Sequence, residues 1–138
     1  MARYNKLGYA VDQIICEDTA LPNAGTADLT NVVTLDSRKS GNLRILVCAA
    51  STTVELAGGA SLTLRPSVGT TTAATSLVLP ATIITQGVQT TVTWLPGVPM
   101  CEIIIPRSLI GANKYLKLTA TTTADESADK IEAYLLAD

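Results

Sequence analysis

The sequence predicts an all-β fold: a single-domain sandwich of about eight strands with a less regular N-terminal arm. Threonine is abundant, with runs at 70–72, 90–91 and 121–123, and β-branched residues favour strands. Short apolar or alternating segments recur between Gly, Pro and polar turn signals at the spacing expected of a sandwich or barrel. A long stripe of apolar residues at helical spacing is missing.

The length and composition fit one such domain. The chain has 138 residues, of which 47% are hydrophobic and 4% aromatic, and it contains no Phe. We therefore expect one domain with a core of Val, Ile, Leu and Ala. We assign the sandwich to residues 29–138 and an N-terminal arm or edge element to residues 1–28.

The predicted strands are bounded by turn signals on both sides. In chain order they are residues 30–36, 43–50, 61–65, 75–79, 89–95, 101–105, 115–121 and 130–137. The second of these is almost entirely apolar, which predicts that both of its faces are covered. The seventh alternates, with Leu116 and Leu118 on one face and Lys117 and Thr119 on the other. All six prolines fall between these strands or at their ends, where a missing N–H does no harm.

Eight strands in one domain favour a two-sheet jelly roll, and a Greek-key sandwich is the near alternative.

The sequence lacks the residues of most catalytic sites. It has no His, which excludes His-based acid–base catalysis, Ser–His and Cys–His nucleophile pairs, and His metal ligands. Neither a Gly-x-Gly-x-x-Gly segment nor a P-loop is present. We predict no catalytic residues, no cofactor and no enzymatic activity.

The three cysteines, Cys16, Cys48 and Cys101, are far apart in sequence and form no C-x-x-C motif. We expect free, buried thiols that pack as small hydrophobes, in a protein made in a reducing cytosol.

An acidic cluster lies near the C-terminus, at Asp125, Glu126 and Asp129. The surrounding residues indicate a solvated hairpin loop between two strands. A weak cation site is the alternative, but the EF-hand pattern is missing, and we predict no metal site.

Charge and hydropathy argue against nucleic acid and membrane partners. The formal net charge is −2, from 10 Lys and Arg against 12 Asp and Glu, so no basic excess exists to bind a phosphate backbone. No apolar stretch approaches the length of a membrane span. Residues 1–20 do not fit a secretion signal, because Asp12 interrupts the apolar segment.

The aromatic residues offer two candidate contact regions. Trp94 alternates in phase with Val92 in a predicted strand, which favours a position in the core or in an interface. Tyr4 and Tyr9 lie in the N-terminal segment, where amphipathic rings suit docking on a partner. An arm packed on its own domain explains the two tyrosines equally well.

Several segments are similar to a known protein family. They are CEIIIP at 101–106, KYLKLT at 114–119, KIEAYL at 130–135, TNVVTLD at 30–36 and LRILV at 43–47. In these strand patterns the chain resembles the jelly-roll capsid cement, or decoration, proteins of tailed phages. The last two segments resemble the first two core strands of that family.

The resemblance implies a non-enzymatic virion protein on the outer surface of an icosahedral phage head. It would bridge major capsid subunits and stabilise the shell, because it binds the assembled lattice and not isolated subunits. A homodimer or homotrimer is implied, made in the cytoplasm of the bacterial host. We expect Arg3, Tyr4, Lys6, Tyr9 and Trp94 to contact the capsid or a second copy.

Two alternatives remain at this point. A carbohydrate-binding or adhesin sandwich would present Trp94 as an exposed platform for a sugar ring. Another structural component of a phage head or tail is the second alternative.

Overall fold

The fold is seen in a computed structural model that describes residues 3–4, 10–29, 31–35, 42–74, 76–77, 82–85 and 93–136. This part of the chain contains thirteen strands and one short 3-10 helix, Arg107–Leu109. The strands are β1 (Arg3–Tyr4), β2 (Ala10–Ala20), β3 (Thr26–Asp28), β4 (Val33–Thr34), β5 (Leu43–Ala49), β6 (Val54–Glu55), β7 (Ser61–Gly69), β8 (Ser76–Leu77), β9 (Thr82–Thr85), β10 (Thr93–Trp94), β11 (Pro99–Ile105), β12 (Tyr115–Thr122) and β13 (Lys130–Leu136). No helix within these residues has the length and hydropathy needed to cross a membrane.

The strands form two main sheets, and all strand pairs among the described residues are antiparallel. The first sheet has the order β1-β2-β13-β5-β11. The second has the order β3-β12-β7-β8, and β4 also pairs with β12 and β9 with β7. The short strands β6 and β10 form a separate ribbon.

The strand order is that of a jelly roll. We number the strands β2, β3, β5, β7, β8, β11, β12 and β13 from one to eight along the chain. The two sheets then read 1-8-3-6 and 2-7-4-5, which is a pair of Greek keys wound into two sheets. The predicted all-β, jelly-roll-like sandwich is therefore confirmed.

The core between the two sheets is aliphatic, as the composition predicts. The large side chains that are completely buried are all Leu or Ile, and they come from both sheets. Ile45 and Leu135 of the first sheet and Leu64 and Leu118 of the second belong to the same cluster. Burial of apolar area on this scale is the dominant stabilising contribution to such a fold.

The most apolar predicted strands lie close to their expected bounds. β5, β11, β12 and β13 each begin and end within two residues of the predictions at 43–50, 101–105, 115–121 and 130–137. β5 is buried on both faces except at Arg44, as its unbroken apolar sequence predicts. The alternation in β12 also holds, with every second residue buried.

The prediction that all prolines avoid strand interiors is wrong at Pro66. β7 continues through this residue to Gly69, and Pro66 pairs with Leu118 of β12. On the other side of β7, among the described residues, β9 pairs with residues 61–64 and β8 with Ser67 and Val68. In an antiparallel pair every second residue directs its N–H away from the partner strand, so Pro66 can lie opposite Leu118 without donating to it.

The predicted strands at 30–36, 75–79 and 89–95 are shorter among the described residues. They are represented by β4, β8 and β10. Residues 75, 78–81 and 86–92 lie outside the described part, so only residues 76–77 of the second prediction and 93–95 of the third are seen.

Residues 1–28 contribute β1, β2 and β3. β2 lies between β1 and β13 inside the first sheet, whereas β1 and β3 lie at sheet ends. The pairing of β2 with β13 shifts register three times, and Asp18 has a φ of 46°. These bulges break the period-2 pattern, which is why the sequence did not indicate this strand. The division of the chain at residue 28 stays a prediction.

Candidate interaction surfaces

Two of the predicted contact residues form the first strand. Arg3 pairs with Val11 and Tyr4 with Ala10, so the backbone of β1 lies at the end of the first sheet. Lys6 and Tyr9 lie outside the described residues. A contact between this segment and a partner stays a prediction.

Trp94 lies in the two-stranded ribbon, opposite Val54 of β6. The indole is half-buried and packs against the main core. This position agrees with the expectation of a core or interface residue, and it does not offer the open platform that a carbohydrate-binding sandwich needs. A role of Trp94 in contacting a partner stays a prediction.

Exposed apolar side chains lie beside the last strand of the first sheet. Leu95 is 62% exposed and Val98 38% in the turn before β11, and Ile104 is 57% exposed within it. Among the described residues β11 pairs only with β5 and ends the strand order. We call Leu95, Val98 and Ile104 the β11 edge. Sequence reasoning missed this surface, because the same residues also suit a buried strand.

Part of the outer face of the first sheet is buried as well. Leu46, Cys48, Tyr134 and Leu136 point away from the main core, yet each is at most 6% exposed. Ile14 packs against them. Burial raises the pKa of the Tyr134 hydroxyl, and the neighbouring Glu132 carboxylate raises it further.

The outer face of the second sheet is polar and carries a groove of about 490 Å³. Hydroxyl side chains line it from three strands, namely Thr26, Thr63, Ser67, Thr119 and Thr121. Arg65 and Lys117 supply its positive charge. We call this surface, defined by those seven residues, the polar groove.

The register of the sheet explains how these side chains meet. Thr121 is paired with Thr26 on one side and with Thr63 on the other, and Thr119 lies opposite Arg65. Facing residues in adjacent strands have their Cβ atoms about 5 Å apart. The side chains of β3, β12 and β7 therefore form continuous rows across the sheet.

Hydrogen bonds and an ion pair hold several side chains of the groove in place, but one N–H donor has no partner among the described residues. The hydroxyls of Thr26 and Thr121 are 2.8 Å apart, and the Thr119 hydroxyl donates to the Arg65 carbonyl at 3.2 Å. Lys117 Nζ lies 3.4 Å from Asp28 Oδ2 at the edge of the groove. Arg65 Nε is buried and has no hydrogen-bond partner among the described residues.

The acidic cluster forms the loop between β12 and β13. Asp125 accepts hydrogen bonds from the backbone and hydroxyl of Ser127, and these lower its pKa. The prediction of a solvated loop is wrong for Glu126, which is 4% exposed. It turns inward because its carboxylate accepts the Ala57 N–H at 2.8 Å.

Asp129 lies beside Glu126 in the same loop. Its carboxylate accepts the Glu55 N–H at 3.3 Å. Burial, followed by the Glu126 carboxyl group, raises its pKa to about 6. Within the described ranges, no three acidic, Cys or His side chains are placed to hold a metal ion.

The three cysteines are free thiols, as predicted. Cys16 and Cys48 are buried and Cys101 is half-buried. Burial raises the pKa to about 11 for Cys16 and Cys101 and to about 12 for Cys48. A thiol with such a pKa is a poor nucleophile at neutral pH, because only the thiolate attacks.

Comparisons with known proteins find a structural likeness to a chain of a solved virus structure. No protein-family model matches the chain, and no curated protein matches it. A chain in the structure of infectious bursal disease virus Gx strain is similar, with a TM-score of 0.45 and 14% identity. The alignment covers 91% of this chain and 32% of the viral chain, so the present chain spans about a third of that length.

Proposed function

We propose that this chain is a structural virion protein that binds the outer surface of an icosahedral phage head and bridges major capsid subunits. The observation that supports this most is the presence of two different exposed surfaces on opposite sheets of one sandwich. The β11 edge belongs to the first sheet and is apolar, and the polar groove belongs to the second. A bridging protein needs two such surfaces, because it has to hold two neighbours at once.

The β11 edge is the surface we assign to the capsid or to a second copy. Exposed apolar residues on a soluble domain often mark an interface, and a strand at the end of a sheet offers backbone groups for pairing. Burying Leu95 and Val98 at one end of β11 and Ile104 near the other would add apolar contacts along the strand to an interface whose rim is polar. The N-terminal residues Arg3, Tyr4, Lys6 and Tyr9 remain our second candidate contact.

A homodimer or homotrimer at a symmetry position of the lattice fits this role. Each copy would then present several capsid-binding surfaces, and the avidity of the oligomer would exceed that of one copy. The carbohydrate-binding alternative is weaker, since Trp94 packs against the core.

Co-sedimentation with phage heads tests the proposal. Purified protein is mixed with expanded heads of the phage whose genome carries this sequence, and separately with unassembled coat subunits. We expect saturable binding to the heads and none to the subunits. Protein that stays in the supernatant with heads at tens of micromolar would refute the proposal.

Variants of the β11 edge locate the contact. We expect Leu95→Ser and Ile104→Thr to weaken head binding and to leave the melting temperature nearly unchanged, because both side chains are exposed. Val32→Thr is the matched control, since Val32 is an exposed apolar residue elsewhere on the molecule. Equal loss of binding in the control would exclude the β11 edge as the contact.

A further inference from the structure

We infer that the polar groove is a binding site for a carboxylate group carried by a short acidic peptide segment of a partner protein. The inference depends on the groove alone, so it holds or fails separately from the proposed role on phage heads.

The orphaned donor of Arg65 is the first reason. Buried N–H groups are almost always hydrogen-bonded, and one left without an acceptor costs free energy. Arg65 Nε is enclosed, has no partner among the described residues and belongs to a side chain that lines the groove. A guanidinium group presents parallel N–H donors that match the two oxygens of a carboxylate. Because Nε is enclosed, a bound carboxylate would reach this donor only after the Arg65 side chain turns it toward the groove, so binding would include a rotation of that side chain.

The charge balance is the second reason. Two cations, Arg65 and Lys117, lie in or beside the groove, and among the described residues Asp28 is the one carboxylate that an ion pair brings to them. Lys117 forms an ion pair with Asp28, so the positive charge of Arg65 is the one that an incoming anion would neutralise. The Lys117 side chain is only 19% exposed, so its charge is poorly screened by water.

The hydroxyl rows are the third reason, and they favour a peptide. Thr63, Ser67 and Thr119 flank Arg65. The Thr63 and Ser67 hydroxyls can donate to carboxylate oxygens, and the Thr119 hydroxyl, which already donates to the Arg65 carbonyl, can accept a peptide N–H. The groove crosses three strands, a width of about 10 Å at the usual strand spacing. This width matches about three residues of extended peptide.

The charge of the whole chain disfavours a nucleic acid as the ligand. Binding to its long phosphate backbone needs many Lys and Arg contacts, and the chain has no basic excess to supply them. A short acidic segment needs only the local excess of positive charge at Arg65.

The test uses the full chain and a defined probe. Protein labelled with ¹⁵N is titrated with hexaglutamate at low salt, and amide shifts are followed by two-dimensional NMR. We expect shifts concentrated on β7 and β12. Arg65→Gln should weaken the apparent affinity about tenfold or more, and Lys117→Gln should weaken it less.

Three controls test whether binding is specific to the polar groove and to an acidic peptide. Arg44→Gln removes a cation that pairs with Glu102 on the other sheet, and it should leave the affinity unchanged. A (Gly-Ser)₃ peptide should cause no shifts, and inorganic phosphate should cause much weaker ones. The spectra of the free variants show whether each variant remains folded.

Several results would overturn the inference. One is the lack of any shift at millimolar hexaglutamate, and another is a scatter of shifts over the whole surface. An equal loss with Arg44→Gln would indicate nonspecific charge attraction. Phosphate binding as strong as that of hexaglutamate, with the same dependence on Arg65, would assign the groove to a small free anion instead.

Discussion

The thiols illustrate what burial does to a single side chain. Cys16, Cys48 and Cys101 keep their protons far above neutral pH, because a thiolate is costly inside an apolar environment. The apolar segments around Cys48 and Cys101 predicted buried thiols, and the structure buries Cys48 and leaves Cys101 half-buried.

We expect all three thiols to react slowly with DTNB at pH 8 while the protein is folded. A pKa raised by about two units lowers the thiolate fraction about 100-fold relative to the unfolded chain. In guanidinium chloride all three should react at the normal rate. A thiol that reacts at that rate in the folded protein would contradict the assigned burial.

Asp129 is a carboxylate whose environment the sequence did not reveal. Its partner Glu126 is three residues away, but the burial that brings the two together comes from the loop's contact with Glu55 and Ala57. The raised pKa of Asp129 follows from that packing.

The raised pKa of Asp129 predicts a pH dependence of stability. Its folded pKa is about 6 and the ordinary Asp value is 3.8, so the folded state binds the proton more tightly than the unfolded chain. The stabilisation from this proton is therefore complete below about pH 4 and is lost as pH rises through about 6. Asp129→Asn cannot ionise, so its melting temperature should fall less than that of wild type between pH 4 and pH 7.

Asp125→Asn is the matched control for this measurement. The pKa of Asp125 is lowered, so its titration lies below the tested range. Its profile between pH 4 and pH 7 should follow that of wild type. If wild type and Asp129→Asn keep a constant difference across the range, the assigned pKa of Asp129 is wrong.

At the scale of elements, β7 combines a proline in its interior with a tight turn at its end. Gly69 closes the strand, and a Cβ placed on it would lie 2.8 Å from the Cα of Ala74. This contact is with backbone, so it cannot be relieved by a side-chain rotation.

We expect Gly69→Ala to destabilise the protein by about 1–3 kcal/mol, the usual cost of overpacking. Urea denaturation followed by circular dichroism measures the change. Gly25→Ala is the control, because the nearest atom to its Cβ would be 3.6 Å away, and its effect should stay within about 0.5 kcal/mol. Equal effects of the two substitutions would contradict the close approach at Gly69.

β12 was predictable where β2 was not, and the reason is local regularity. In β12, Leu116, Leu118 and Ala120 alternate with polar residues, and every second residue is buried. In β2, bulges interrupt the alternation and place charged Glu17 and Asp18 within the strand. A pattern of period 2 identifies a strand only as long as the strand remains regular.

At the scale of the whole molecule, β2 completes the first sheet. It covers one side of β13, whose other side pairs with β5. Removing β2 would expose the backbone and side chains of a strand that is otherwise buried on both faces.

We therefore expect deletion of residues 1–20 to abolish cooperative thermal unfolding, measured by calorimetry. The predicted contact residues Arg3, Tyr4, Lys6 and Tyr9 are better tested by substitution with Ala, which leaves β2 in place. A deletion variant that still melts in one sharp transition would show that β2 is dispensable for the fold.

The sequence by itself determined the fold class, the aliphatic core and the four most regular strands, because these depend on local composition and period. It also placed Lys117 and Thr119 on one face of β12. Only the tertiary structure brought Arg65, 54 residues earlier in the chain, opposite Thr119, and only the tertiary structure left Leu95 and Ile104 exposed. Both outcomes depend on which strands pair and which edge stays open, and these long-range choices leave no periodic signal in a single sequence.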